Sequence, residues 1–200
     1  LLVFAFGAFD SGIPSDWSAD AARPGINWIG DYSRPTVARV AALVGANKRV
    51  GDVVLVSIHW GSNWGFEIPD EHRAFAHRLI DDAGVDFVYG HSSHHVKAIE
   101  VYCDRAILYG CGDFLNDYEG IHGPKHLRDD LTMMYFPVLD TQSGALLQLE
   151  LVPLLIRHFR LQYPSRSDAR WLRDTVDREC RRFGAALTEE DGRLLLAWQR

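Results

Sequence analysis

Two short apolar segments on either side of an amphipathic helix constrain the fold of this 200-residue chain more than any other feature. Val53–Ile58 is apolar on both faces, which is typical of a strand covered by other elements on both sides. Pro69 begins a helical pattern that ends at Gly84, and Val85–Tyr89 follows as a second buried strand. A strand, a helix and a strand in this order predict the crossover connection of a parallel or mixed sheet.

The rest of the chain adds a strand, antiparallel hairpins and two helices to this unit. Leu1–Phe6 reads as a buried strand, and Ser33 is placed to cap a following helix. Four apolar segments separated by turn residues pair as two hairpins: Ile99–Tyr102 with Ala106–Tyr109, and Met133–Leu139 with Leu146–Val152. Residues 160–200 form an extension with an amphipathic helix and a final strand at Leu194–Trp198. We predict a single α+β domain over residues 1–200, a layered α/β sandwich with a mixed sheet.

Composition and charge exclude several classes of protein. The chain is 47% hydrophobic and 24% charged, as in ordinary globular proteins. A net charge of −6 argues against a nucleic-acid partner. The longest apolar run, Leu1–Phe6, is far shorter than the roughly 18 residues of a membrane span. Because the chain opens directly in this buried strand, without a secretory signal, we expect it to begin inside a domain, and the compartment stays open.

Several motifs that would identify a specific catalytic or binding site are missing, and the cysteines and arginines have an ordinary structural explanation. In the Gly61–Gly65 segment the serine stands one position away from its place in the Gly-x-Ser-x-Gly pattern of hydrolases. Gly110–Gly112 lacks the remaining glycine of a dinucleotide-binding motif. The three cysteines have no Cys-x-x-Cys spacing and read as small buried hydrophobes: Cys103, Cys111 and Cys180. Six arginines of the last helix alternate with acids, which indicates a solvated, salt-bridged face rather than an anion-binding patch: Arg166, Arg170, Arg173, Arg178, Arg181 and Arg182.

Histidines follow directly after both strands of the predicted crossover unit. His59 closes the first strand, and Gly90 introduces His91, His94 and His95 after the second. Ligands of open α/β sheets gather outside the carboxyl ends of the strands. Neutral imidazole is a common ligand of divalent metals such as Zn, Mn or Fe. This pattern predicts a metal site held by the first three of these histidines.

Other interpretations of these histidines stay open. A histidine at a strand end is usually a hydrogen-bonded loop residue, and His59 alone would be read in this way. The three-residue spacing of His91 and His94 favours metal binding, whereas His95 is expected to support them or to be structural. The remaining histidines are explained by packing or solvent, or carry no spacing signal: His72, His77, His122, His126 and His158.

A third polar segment, residues 109–119, follows the first predicted hairpin. Its acids can hydrogen-bond a metal-binding histidine or a substrate, and Asp113 is the candidate catalytic residue. A simple polar turn explains Asp113 equally well and is favoured for Asp117 and Glu119. The Trp64–Phe66 loop near His59 fits a pocket wall and equally fits ordinary packing.

Three segments resemble the capsule-synthesis CapA (poly-γ-glutamate) family, whose fold groups with the calcineurin-like metallophosphoesterases. Val54–Gly61 matches the strand and His-Trp-Gly of that family, and Asp82–His94 matches its Gly-His-x-x-His motif with the preceding helix–strand junction. Ile99–Phe114 is similar to its next hairpin and turn. The similarity is strongest over residues 50–120, extends toward Leu1 and is weak beyond residue 130.

The resemblance implies a dinuclear centre of divalent ions with His59, His91 and His94 among the ligands. The front half of the family would supply the Asp, Asn and His groups that complete both metal sites, so this chain is expected to bind metal poorly alone. Asp113 stands where many relatives have Asn, and Ser92–Ser93 replaces the usual His-Pro.

The resemblance also implies a role in making or exporting an anionic polymer, poly-γ-glutamate. We expect metal-dependent hydrolysis of a phosphoester or related bond. The alternative is a non-catalytic accessory subunit of a membrane-associated synthesis complex, and relatives are often anchored to the membrane at the N-terminus. The expected partner is an anionic polymer or a phosphoester substrate and not a nucleic acid, and the oligomeric state stays open.

Overall fold

The N-terminal part of the chain forms a six-stranded mixed sheet in the computed structural model, which describes residues 1–115, 121, 123–190 and 193–199. Its strands are β1 (Leu2–Ala8), β2 (Trp28–Ile29), β3 (Val54–His59), β4 (Phe87–His91), β5 (Ile99–Tyr102) and β6 (Arg105–Leu108). Two helices connect them, α1 (Arg34–Asn47) and α2 (Asp70–Ala83). The strand order is β2-β1-β3-β4-β6-β5, and only β5 pairs with its neighbour in antiparallel fashion.

A second sheet of five strands is entirely antiparallel in its pairings. Its strands are β7 (Leu131–Leu139), β8 (Leu146–Ile156), β9 (Leu161–Gln162), β10 (Ala185–Glu190) and β11 (Arg193–Trp198). The order is β10-β11-β8-β7, with the short β9 paired to β8. Helix α3 (Arg166–Arg181) connects β9 to β10.

The predicted crossover unit is confirmed as β3-α2-β4, with β3 and β4 parallel neighbours. Gly84 adopts φ 67° at the end of α2, a conformation that glycine takes at low cost. The predicted start of α1 is also found, since the Ser33 hydroxyl accepts a hydrogen bond from the backbone N–H of Thr36. Local sequence signals therefore set the boundaries of both helices.

The layered α+β class is confirmed, and the two predicted hairpins lie in different sheets. The first hairpin, β5-β6, joins the parallel strands and makes the first sheet mixed. The second hairpin, β7-β8, is the centre of the separate second sheet. Strands β2, β9 and β10 were not predicted because the first two are only two residues long and β10 ends in two glutamates. The predicted turn at Asp191–Gly192 lies outside the described residues.

Two hydrophobic clusters hold these layers together. Helices α1 and α2 pack on one face of the first sheet, where Val40 and Phe75 share a buried cluster with Val56. The opposite face packs against the second sheet and α3, with Phe87 and Leu149 in the shared cluster. Burial of such large apolar side chains contributes about 1.5–3 kcal/mol each, so the sandwich depends on both interfaces.

The structure corrects the prediction for one cysteine. Cys111 and Cys180 are buried, but Cys103 is exposed because it lies in the tight turn of the first hairpin with φ 47°. None of the helices in the described ranges combines the length and the apolar character needed to cross a membrane.

Candidate functional site

The carboxyl ends of β1, β3 and β4 meet at one edge of the first sheet because the three strands are parallel neighbours. His59 pairs with Gly7 on one side and with His91 on the other. Side chains of paired residues lie on the same face of a sheet, so the two imidazoles stand side by side. The strand register thus places them together, as predicted.

The two imidazoles present their Nδ1 atoms to each other at 3.1 Å. Burial, together with the neighbouring His59, lowers the pKa of His91 to about 4. Burial and the nearby His94 also lower the pKa of His59. Both rings are therefore neutral near pH 7, and at least one of the facing nitrogens carries a lone pair, as a metal ligand requires.

The second nitrogen of His91 has its own partner. Its Nε2 lies 3.1 Å from the hydroxyl oxygen of Ser57, which is on the same face of β3. In the tautomer where Nε2 donates to Ser57, Nδ1 keeps its lone pair toward His59. Metal-binding histidines commonly have this kind of support on the nitrogen that does not bind the ion.

His94 is oriented by Asp113 in a similar way. The Nδ1 atom of His94 lies 3.0 Å from each carboxylate oxygen of Asp113. An ionised carboxylate only accepts hydrogen bonds, so Nδ1 donates and Nε2 keeps the lone pair. The predicted hydrogen bond between Asp113 and a candidate ligand is confirmed, whereas its catalytic role stays a prediction. Asp117, Glu119 and His122 lie outside the described residues.

Asp10 is a residue of this edge that sequence reasoning missed. It follows β1 and accepts hydrogen bonds from the Tyr32 hydroxyl at 2.8 Å and from the backbone N–H of Gly61 at 3.1 Å. Its other oxygen lies 2.6 Å from Nε2 of His72. Burial raises the pKa of Asp10, but these hydrogen bonds outweigh burial and hold the pKa below its usual value. Its position just after the predicted strand Leu1–Phe6 was the available signal. That strand was predicted to be buried, but only its C-terminal end is, and Val3 is 58% exposed.

The described residues contain one set of three potential ligands whose atoms all lie within 4.8 Å of one another: Asp10, Glu71 and His72. His72 is buried and stacks on the Trp60 ring at 4.8 Å, so the packing role predicted for it agrees with its surroundings. The convergence of His59, His91 and His94 on one ion stays a prediction.

His95 has a structural role. It is fully buried, with Nδ1 at 3.0 Å from the carbonyl oxygen of Val96 and Nε2 accepting from the backbone N–H of Gly65 at 3.1 Å. Trp64 packs against both His94 and His95, with ring centroids 5.3 and 6.2 Å away. The Trp64 loop therefore walls one side of the His94 imidazole.

The backbone around His91 is tightly constrained. A Cβ at Gly90 would lie 2.5 Å from Nε1 of Trp60 and 2.6 Å from the carbonyl oxygen of Leu108, so only glycine fits before this histidine. Ser92 after it has φ 119°, a conformation that side-chain-bearing residues rarely adopt, and its hydroxyl donates to the carbonyl of Gly61 at 3.0 Å. Strained backbone of this kind clusters at functional sites.

The chemistry of these groups fits a divalent metal. His59 and His91 are neutral imidazoles, and His94 keeps one nitrogen for a ligand. Imidazole with neighbouring carboxylate suits borderline ions such as Zn, Mn or Fe. Ser57 and Asp113 hold two of the three rings through their other nitrogens.

Comparison with known proteins gives a consistent family. Residues 1–118 match the family described as bacterial capsule synthesis protein PGA_cap. A "probable polyglutamine synthesis accessory protein" of Mycobacterium tuberculosis is 47% identical over 196 residues, which are 98% of this chain and 51% of that protein. The PGA biosynthesis protein CapA of Bacillus subtilis is 33% identical over 93 residues, 46% of this chain and 23% of that protein. The chain thus spans about half the length of the M. tuberculosis relative, and its match covers 23% of the B. subtilis relative.

Proposed function

Because this chain belongs to the family of bacterial capsule synthesis proteins, we propose that its histidine-bearing edge is a divalent-metal site that hydrolyses a phosphoester or related bond during poly-γ-glutamate synthesis. The observation that carries this proposal is the approach of the Nδ1 atoms of His59 and His91 to 3.1 Å. Two neutral imidazoles that face each other from adjacent strands are a ready pair of ligands for a cation.

The residues of the proposed site divide into those that bind the ion and those that orient these ligands. His59, His91 and His94 are the proposed ligands, while Ser57 and Asp113 fix the rings through their second nitrogens. A bound divalent ion supplies polarisation of the ester oxygen and makes water a better nucleophile. Trp64 limits the access of bulk water to one side of His94.

The proposed two-metal centre needs ligands in addition to these three histidines. Two ions of the Mn, Fe or Zn type require more ligands than three nitrogens provide. Asp10 lies at the same edge and is a carboxylate with a lowered pKa, although its oxygens already accept hydrogen bonds. The two matched relatives are about twice as long as this chain or longer. The proposal therefore includes further metal ligands from residues outside 1–200.

A second candidate function is that of a non-catalytic accessory subunit. It is favoured by the M. tuberculosis relative, which is named as an accessory protein and matches almost the whole chain. In this role the protein would keep the fold and the histidine edge and would support a membrane-associated synthesis complex that handles the anionic polymer. The metal would then stabilise the edge without turnover.

Metal analysis of the intact protein tests the site. We expect the full-length wild type, with the ligands proposed outside residues 1–200, to retain divalent metal after dialysis, and His91→Ala and His94→Ala to lose most of it. His126→Ala is the matched control, because this histidine is exposed and lies outside the edge. Unchanged metal content in both site variants would refute the assignment.

Hydrolysis of a model phosphodiester by the same samples separates the two functions. Turnover that disappears in His91→Ala and His94→Ala but persists in His126→Ala would support the hydrolase. A metal-loaded wild type without turnover on phosphoesters would favour the accessory role instead.

A further inference from the structure

A groove lies far along the chain from the histidine edge, between the N-terminal half of α3 and strands β8, β10 and β11. Its volume is about 540 Å³. The apolar lining that is accessible to solvent includes Val152, Pro153 and Pro164, and Tyr163, which is 85% exposed, stands at the rim of the groove. The groove is open to solvent.

Arginines surround this groove. Arg166, Arg170 and Arg173 follow each other at helical spacing, so one face of α3 presents all three to the groove. Arg193 of β11 adds a fourth cation to the lining. The expected salt-bridged face is found farther along the helix, where Arg181 pairs with Asp177.

The acids in the groove neutralise only part of this charge. Glu150 pairs with Arg193 at 3.5 Å, and Glu189 pairs with Arg173 at 3.5 Å. Arg166 and Arg170 have no ion-pair partner among the residues that the structure describes. Two uncompensated cations therefore lie in one groove of a chain whose net charge is −6.

We infer that this groove binds a stretch of a carboxylate-bearing polymer of the poly-γ-glutamate type. The guanidinium group presents paired N–H donors that match a carboxylate in bidentate geometry, and Arg166 and Arg170 are free to do so. The main chain of a γ-linked glutamate polymer contains methylene groups, which fit the half-buried apolar lining at Val152 and Pro153. The choice of this polymer rests on the proposed function, whereas the presence of a polyanion site rests on the groove alone.

The groove and the histidine edge belong to different sheets, so their roles are separable by measurement. None of the four lining arginines comes from the first sheet. Loss of polymer binding with unchanged metal content would follow from damage to the groove. Loss of metal with unchanged polymer binding would follow from damage to the histidine edge.

Titration of the intact protein with poly-γ-glutamate of defined length, at low salt, tests the inference. We expect the double variant Arg166→Gln/Arg170→Gln to bind about tenfold more weakly or worse, since it removes two charged groups that donate paired hydrogen bonds to carboxylates. Arg181→Gln is the matched control, because it removes one arginine of the same helix outside the groove. Its affinity for the polymer should equal that of the wild type.

A second variant acts in the opposite direction. Glu150→Gln/Glu189→Gln removes the two acids that line the groove; Arg193 then lacks its partner Glu150, and Arg173 keeps only its pair with Asp174, so we expect severalfold tighter binding. Equal affinity of the wild type and the double arginine variant would overturn the inference. Equal loss in Arg181→Gln, or tighter binding of duplex DNA than of the polymer at the same salt, would overturn it as well. Metal content measured in each variant shows whether the histidine edge is intact.

Discussion

The Nδ1 atoms of His59 and His91 lie 3.1 Å apart because their strands are parallel neighbours in matching register. The two residues are 32 positions apart in the chain, and only the crossover through α2 brings them together. A slip of one residue in either strand would turn one imidazole to the opposite face of the sheet. The pair therefore depends on the register of β3 and β4.

Asp113 is predicted to act through the orientation of His94. Asp113→Ala removes the acceptor for Nδ1 and should weaken metal binding by about 10–100-fold. Asp113→Asn keeps an oxygen acceptor at this position and should stay much closer to the wild type. Metal affinity measured by competition with a chelator tests both variants, and equal affinities of all three proteins would contradict the role.

Gly90→Ala is expected to destabilise the protein and to disturb the histidine edge. The new Cβ meets Trp60 and the backbone of Leu108, so we expect a loss of about 2 kcal/mol or more in the free energy of unfolding. Gly45→Ala is the matched control, because nothing lies within 4 Å of its Cβ inside α1, and it should gain about 0.5–1 kcal/mol. Unfolding in denaturant measures the free energy of unfolding of both variants. An unchanged value for Gly90→Ala would show that the neighbouring atoms accommodate the new Cβ without cost.

His95 should make stability depend on pH. Burial lowers its pKa to about 4, below the usual value near 6.5, so the unfolded chain binds the proton more readily. The stabilising contribution is complete above pH 6.5 and is lost as the pH falls from there toward 4. We expect a loss of about 2 kcal/mol between pH 7 and pH 5 from this residue.

Unfolding in denaturant at pH 7, 6 and 5, with chelator present, measures this loss. His95→Asn should be less stable at pH 7 and should show a smaller decrease toward pH 5. Some decrease remains, because His91 has a lowered pKa of the same sign. Parallel pH profiles of the wild type and His95→Asn would disprove the assignment.

Glu100 is the buried centre of a polar network on β5. Its carboxylate accepts hydrogen bonds from Arg73 at 2.8 Å and from the Tyr109 hydroxyl, and it lies 3.1 Å from Nε2 of His77. Burial raises the pKa of Glu100, but these partners outweigh burial and hold the pKa below its usual value. Glu100→Gln should therefore cost about 2 kcal/mol in unfolding free energy at pH 7.

The exposed Glu190 supplies the control for this network. Glu190→Gln should change the free energy of unfolding by less than about 0.5 kcal/mol. The difference between the variants should shrink below pH 4, because a carboxyl group with a lowered folded-state pKa loses its contribution as the pH falls through that value. A Glu100→Gln variant as stable as Glu190→Gln would rule out a stabilising network.

Much of the fold follows from local sequence. The capping of α1 by Ser33, the end of α2 at Gly84 and the position of β3 were all predictable, although β3 is fully buried on one face and only partly on the other. Capping, glycine conformation and strand periodicity act between near neighbours, so the sequence carries them directly. The same locality explains why His59 and His91 were recognised at strand ends.

Only the tertiary structure decided which distant groups meet. Asp10 contacts Gly61 and His72 because β1 lies beside β3, although its surroundings in sequence read as a loop. Arg170 was predicted on a solvated helix face, yet strands from two other parts of the chain turn that face into a groove. Strand order and sheet packing depend on the sum of many weak long-range contacts, and a single sequence does not display this sum residue by residue.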